Sequence, residues 1–329
     1  MKKLFLLGLF LCSFSGIIFA ENKGSFDVTP VMGILSGNVN EFVFYIPNTG
    51  KKGFPIPKRK LSELNWDVFN IPFVGAQISY FDLEKKTCLN LDFQVGVPKS
   101  SNNMVDRDWT NCVNFNQYNW LTNYSKHQNY LLAYYKWDIS MGRKFYLPYG
   151  FRINTLLSVS NEYFSFYAEN GYGKYGEGWR NGTWNKVGPS ENGEDVSWNS
   201  KVISYEQNRI FIGLGFDVEK LFDYGLSMAL SVKPRFAYVR AEDHHLMTRA
   251  KYLDLPYGFG GLCSGVNFQY RINEHHKISL KSSYDWLPVI IGCDYSSVMS
   301  SDSWDLEKGF AGGASSNLYS VSLNYTLSL

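Results

Sequence analysis

The chain has 329 residues, 32 lysines and arginines against 30 aspartates and glutamates, a formal charge of +2, and 45% hydrophobic and 17% aromatic residues. So aromatic and so weakly charged a composition is not that of a disordered chain, and a charge near zero gives no bulk field to capture nucleic acid. After the first 20 residues there is no apolar run of the roughly 18 residues that a membrane-crossing helix needs, which leaves two domains or one large β-domain.

Residues 1–20 read as an export signal. Lys2 and Lys3 form a basic start, Leu4 to Ile18 a mostly apolar stretch, and Ala20 a small residue at a cleavage point. Residues 21–329 then form the mature chain. Export leaves Cys88, Cys112, Cys263 and Cys293 in an oxidising compartment. An even number there permits disulfides in any of three pairings, and the spacings match no zinc pattern.

The mature chain carries no helical period, repeat or interdomain linker. It reads as long alternating segments. In the first, Met32, Ile34, Phe42 and Phe44 put apolar residues on even positions, which turns Glu41 to the other face. In the third, Leu89, Leu91, Phe93 and Val95 alternate with Asn90, Asp92 and Gln94. In the seventh, Leu226, Met228, Leu230 and Val232 alternate with Ser227, Ala229, Ser231 and Lys233. The last is the clearest, with Tyr319, Val321, Leu323, Tyr325, Leu327 and Leu329 against Ser320, Ser322, Asn324, Thr326 and Ser328. A strand with one apolar and one small polar face suits a barrel whose outer face meets lipid.

Connections alternate short and long. Short ones fall near 81–86, 142–148, 218–224 and 272–277, and long ones near 47–61, 105–126, 171–200, 243–251 and 290–315. Four short and five long connections predict ten antiparallel strands, an even number that closes a transmembrane β-barrel with both termini on the periplasmic side. Strands of about 20 residues exceed the roughly 9–11 needed to cross a bilayer. The barrel is therefore expected to rise above the outer membrane, with room for a site in its extracellular mouth.

Alternation also predicts what points into that mouth. Odd positions of the seventh strand carry Asp243 and His245 inward, and even positions of the third carry Asp106 and Asp108 inward, with Glu41 joining them from the first. A histidine bonded to a carboxylate is held in one tautomer and can take a proton from water. Paired carboxylates across a cleft can share a proton and hold the same water. Such a set suits hydrolysis of an acyl bond, although a solvated polar rim would have the same composition. Ser125 and His127 share parity with Leu131, Ala133 and Tyr135, an outward face, so they are expected to point away from the lumen. No metal is expected, because adjacent Asp243, His244 and His245 face alternate sides of a strand. His275 and His276 lie in a periplasmic turn, and Lys51, Lys52, Lys58, Arg59 and Lys60 make the first long loop basic.

The chain resembles the omptins, outer-membrane aspartyl-type proteases built on ten-stranded barrels. The resemblance spans nearly the whole mature chain. It rests on Gly33-Ile34-Leu35-Ser36-Gly37 with Glu41-Phe42-Val43-Phe44-Tyr45, on Ser62-Glu63-Leu64-Asn65-Trp66 and on Ile203-Ser204-Tyr205-Glu206-Gln207. The most specific segments are Asn103-Met104-Val105-Asp106-Arg107-Asp108-Trp109 and Asp243-His244-His245. The resemblance implies that Asp243 and His245 activate water, that Asp106 and Asp108 bind it and steady the tetrahedral intermediate, and that Glu41 lines the pocket for a basic residue before the scissile bond. Omptins carry a second pocket carboxylate two residues before the catalytic aspartate. Here Ala241 stands in its place, which puts strict dibasic specificity in doubt.

The resemblance also implies lipopolysaccharide held by basic residues on the exterior. Glu169 stands where such a residue is expected, so no cofactor is assigned and dependence on the lipid is left open. The expectation is a monomeric outer-membrane endopeptidase, its site facing the exterior, acting on peptides or proteins and contacting outer-membrane lipid. The alternative is a non-enzymatic barrel serving as adhesin or passive pore, although ten strands enclose little open lumen.

Overall fold

A computed structural model describes residues 24–46, 59–109, 121–175 and 194–329. The signal-like residues 1–20, the loop lysines 51, 52 and 58, and Cys112 lie outside these. The strands are β1 (Gly24–Tyr45), β2 (Arg59–Asp82), β3 (Thr87–Gly96), β4 (Lys99–Asp108), β5 (Asn123–Tyr146), β6 (Phe151–Tyr175), β7 (Glu194–Leu221), β8 (Leu226–His245), β9 (Ala250–Arg271), β10 (His276–Val298), β11 (Asp305–Leu306) and β12 (Phe310–Ser328). All pairings are antiparallel, and β1 joins both β2 and β12, so the sheet closes on itself. β3 and β4 are successive halves of one stave, since both lie between β2 and β5. The break falls at Val97-Pro98, where proline offers no N–H to a ladder. β11 is a two-residue piece on β10. The barrel therefore has ten staves, as the alternation predicts.

The strands run further than the sequence suggests. The connection expected over 243–251 is a turn of residues 246–249, and β10 and β12 take most of the connection expected over 290–315. β7 alone has 28 residues. At about 3.3 Å per residue it extends far beyond a bilayer's hydrocarbon core, even when tilted.

The outer face of the periplasmic half is apolar, with Met32, Ile34, Leu214, Phe216, Val321 and Leu323 all exposed. Above it, tyrosines of adjacent strands stack side by side. Tyr135 with Tyr163, Tyr130 with Tyr167 and Tyr284 with Tyr319 each have centroids 4.8 Å apart, as suits amphipathic rings at a lipid–water boundary.

The lumen is layered. At the periplasmic end a cavity of about 290 Å³ is lined by polar groups such as Thr29, Lys144, Asp217 and Lys281. Above it lie ion pairs, Arg209–Glu162 at 2.6 Å and Arg235–Asp285 at 2.5 Å, with Lys136 close by. Higher still an apolar plug fills the barrel. Trp66 from β2 stacks on Tyr205 from β7 at 5.2 Å and on Phe166 from β6 at 5.5 Å, with Met104, Val39 and Val239 packed into the same core. Burial of side chains of this size is worth about 1.5–3 kcal/mol each in transfer terms.

Bulges decide which residues face this interior. In β5 the register against β6 shifts between Leu131 and Ala133. Leu131 and Tyr134 are buried while Leu132 between them is exposed, so inward positions are odd above the shift and even below it. Ser125 and His127 are consequently buried and on the same face as Asp106 and Met104, their cross-strand partners. The outward orientation expected of them is corrected: one extra residue reverses every side chain beyond it. Of the cysteines that could pair, Cys88, Cys263 and Cys293 carry free thiols among the described residues.

Candidate active site

Three strands that enter the mouth change from apolar to acidic along their inward faces. On β1 Val39 is followed by Glu41, on β4 Met104 by Asp106 and Asp108, and on β8 Val239 and Ala241 by Asp243 and His245. Cross-strand register sets these changes at one level. Glu41 lies opposite Leu64, and Leu64 opposite Asp106. β5, β6 and β7 lie between β4 and β8 around the ring, so the two acidic strand ends approach one another across the lumen, above the plug. Glu41, Asp106, Asp108, Asp243 and His245 all line one cleft of about 370 Å³.

Within it, His245 Nε2 stands 2.6 Å from Asp243 Oδ2. Tyr252 packs edge-on to the imidazole, with ring centroids 5.3 Å apart. Asp243 is buried, and its Oδ1 has no hydrogen-bond partner. Asp108 accepts from Asn123 Nδ2 at 3.1 Å and from the Ser62 hydroxyl. Asp106 Oδ1 is buried without a partner. Glu242 and His244 pair with one another at 2.8 Å on the opposite face of β8, as strict alternation predicts.

Charge crowding sets the proton affinities. Burial, reinforced by the charges of Asp108 and Asp243, pushes the Asp106 carboxyl well above the usual carboxylate range. Burial also raises Asp108, against the hydrogen bonds from Asn123 and Ser62. For His245 burial alone would lower the pKa. The charge and hydrogen bond of Asp243, with the charges of Asp106 and Asp108, overcome it and raise the imidazole to about 9. The cleft thus holds a proton on His245 at neutral pH, and Asp106 releases its own at a higher pH than an ordinary carboxyl.

Three further carboxylates line the cleft that sequence reasoning did not include: Asp254, Asp294 and Glu307. Asp294 falls in a stretch read as loop, yet it lies within β10 and faces inward. Asp254 sits on β9 between Leu253 and Leu255. A lone aspartate between leucines inside a strand was the available signal.

Ser125 and His127 also form a hydrogen-bonded pair. His127 Nδ1 contacts the Asn170 carbonyl, so it donates there and Nε2 accepts from Ser125 Oγ at 2.9 Å. Ser125 also bonds Tyr175, and Trp198 packs on the His127 ring. Neither Ser125 nor His127 lines the cleft, and both support the wall behind Asp106.

A family model described as the Omptin family matches residues 22–327. No curated protein matches the chain. Among solved structures, the outer membrane protease OmpT from Escherichia coli superposes with a TM-score of 0.77 at 16% identity, over 93% of this chain and 97% of that one. The outer membrane protein OprG from Pseudomonas aeruginosa gives 0.36 at 7% identity, over 94% and 97%. The translocator domain of the autotransporter NalP from Neisseria meningitidis gives 0.31 at 8%, over 99% and 95%.

Proposed function

The chain belongs to the Omptin family and is an outer-membrane β-barrel protease, and on that premise we propose that it is an endopeptidase of aspartic type, using Asp243, His245, Asp106 and Asp108. The observation that carries the reading is the 2.6 Å contact between His245 and Asp243, set in the same cleft as Asp106 and Asp108.

Water held between the two pairs attacks the scissile carbonyl carbon while neutral His245 takes its proton. Asp243 holds the imidazole in one tautomer and balances the charge that forms. A protonated Asp106 donates to the developing oxyanion, the role a carboxyl with raised pKa can fill. His245 then returns the proton to the leaving amine as the carbon–nitrogen bond breaks. Glu41 faces the substrate with a buried carboxyl, raised by burial and by the charges of Asp243, Asp254 and Asp294, and a basic side chain next to the scissile bond would offset that crowding.

The test is cleavage of a mixed peptide library by the folded barrel, with and without lipopolysaccharide, beside Asp243→Ala. Loss of at least about 10²-fold in the variant is expected, in line with removal of a general-base partner. Equal cleavage by the variant, or none by the wild type in either lipid condition, would sink the reading and favour an adhesin.

A further inference from the structure

We propose that Arg143, flanked by Thr87 and Thr155 on the outer face of the barrel, holds the phosphate of an anionic glycerophospholipid of the periplasmic leaflet, whose acyl chains lie in the apolar groove beside it. The inference concerns the opposite end of the barrel from the cleft and stands independently of the endopeptidase reading.

Register assembles the site from four strands. Thr87 on β3 lies opposite Arg143 on β5, Arg143 opposite Thr155 on β6, and Thr155 opposite Phe216 on β7. Residues directly opposite one another point to the same face, with Cβ atoms about 4.5–5.5 Å apart. The arginine therefore has a threonine hydroxyl on either side. One outward step toward the bilayer centre is a second row, Leu89, Met141, Leu157 and Leu214, each opposite the next. All four are exposed, as suits side chains that meet lipid. One outward step toward the β5–β6 turn, Phe145 lies opposite Ile153, and Ile153 opposite Val218. Arg143 is thus a charged residue set between two apolar rows of the lipid-facing surface, near its periplasmic edge.

The protein itself does not neutralise that charge. Among the described residues the contact of the guanidinium is with the ring of Phe145, 5.7 Å away, and not with a carboxylate. Asp82, opposite Thr87 in the same row, is committed to its own turn. It accepts from the backbone N–H groups of Glu84 and Lys85 and pairs with the Lys85 ammonium at 3.8 Å. A charge on the lipid face of a barrel costs about 2–4 kcal/mol at the midplane and little near the interface. A phosphate at that depth turns the cost into a gain, because a guanidinium takes phosphate through two parallel bonds. The two threonine hydroxyls can donate to its remaining oxygens.

The same residues open onto a groove of about 660 Å³, lined by both the arginine row and the leucine–methionine row, with Tyr80 beside them. Polar groups at its periplasmic end and carbon along the rest match a phospholipid, with phosphate at the interface and chains running toward the bilayer centre. The surrounding rim selects the sign of the headgroup. Lys86 lies over the Tyr146 ring at 5.8 Å and Lys220 over the Phe151 ring at 4.7 Å. Lys85, Lys86, Arg143 and Lys220 outnumber Asp82, Glu84 and Asp223 in and beside these turns, which favours an anionic headgroup over a zwitterionic one.

Native mass spectrometry of the folded barrel tests the site, with dioleoyl phosphatidylglycerol compared with dioleoylglycerol, which keeps the chains and lacks the phosphate. The wild type should retain one phosphatidylglycerol through a detergent exchange that strips dioleoylglycerol. Arg143→Gln should weaken phosphatidylglycerol binding about 10- to 100-fold, as loss of a charge-assisted pair predicts, and leave dioleoylglycerol unchanged. Arg143→Lys, which keeps the charge without the fork, should fall between. Thr155→Phe, which fills the groove and keeps the charge, should also lower retention. Peptide cleavage and circular dichroism should be unaltered in all three variants, which separates loss of the site from loss of the fold. Equal retention of the two lipids by the wild type, or undiminished phosphatidylglycerol binding by Arg143→Gln, would overturn the site. Dioleoyl phosphatidylethanolamine bound as tightly as phosphatidylglycerol would overturn the anionic preference, and displacement by lipopolysaccharide would overturn the assignment to the periplasmic leaflet.

Discussion

A histidine among three carboxylates keeps its proton far into the alkaline range, and that fixes a testable pH profile. His245 is raised to about 9, burial opposing the shift and the charges of Asp243, Asp106 and Asp108 outweighing it. Only neutral imidazole can accept the proton of water, so kcat/KM should climb as pH rises through about 9 rather than near 6.5. The charge of Asp108 helps hold that proton. Asp108→Asn should therefore move the rising limb to lower pH, even while lowering the maximum rate. A stopped assay across pH 6–10 checks both, and a flat profile would count against His245 as the base. Stability follows the same sign. A folded-state pKa above the unfolded value of about 6.5 stabilises the barrel fully below that pH, and the contribution is lost as pH passes about 9.

At the scale of the strand, the inward aim of Asp106 and Asp108 depends on two reversals that cancel. Even positions face inward through Gly96, the inward residue after the Pro98 break is Ser101, and a bulge at Asn102 returns the inward face to Met104. Asn102 takes a positive φ of 60°, which asparagine tolerates, and its side chain donates to Asp67 Oδ2 at 2.6 Å. Asn102→Val should cost about 1–3 kcal/mol through strain at that backbone position, measurable by urea unfolding in detergent. Deleting Asn102 should turn Met104, Asp106 and Asp108 outward and abolish peptide cleavage in barrels whose circular dichroism still reports β-sheet. On β8 no such device intervenes, so parity carries Asp243 and His245 inward without correction. On β5 a single uncancelled shift defeats the same argument for Ser125 and His127.

For the whole molecule, the plug separates an outward-facing cleft from the polar cavity inside the membrane-spanning half. Trp66, Phe166 and Tyr205 meet from β2, β6 and β7 across the lumen, all three fully buried, and stand as an apolar barrier to water and ions between the two ends. Protein inserted into planar bilayers should give no steady ion conductance, and porin-like conductance would contradict the closed lumen. Trp66→Ala should destabilise the barrel by about 3–5 kcal/mol through the cavity it leaves, seen as a lower unfolding midpoint. The plug also gives the carboxylates a dry floor. Low dielectric beneath them strengthens every electrostatic interaction in the cleft.

The sequence by itself determined the ten staves, the lipid-facing and lumen-facing sides of most of them, and the gathering of Glu41, Asp106, Asp108, Asp243 and His245. Alternation with period two is a local property, and a long uninterrupted strand such as β8 transmits it intact to its end. The tertiary structure decided what depends on partners in other strands. Which bulges cancel, where strand gives way to turn, that the thiols of Cys88, Cys263 and Cys293 stay unpaired, and that Asp254 lies opposite Ala241 are all facts of register. Register is fixed by pairing between segments remote in the chain, and no single strand carries that information within itself.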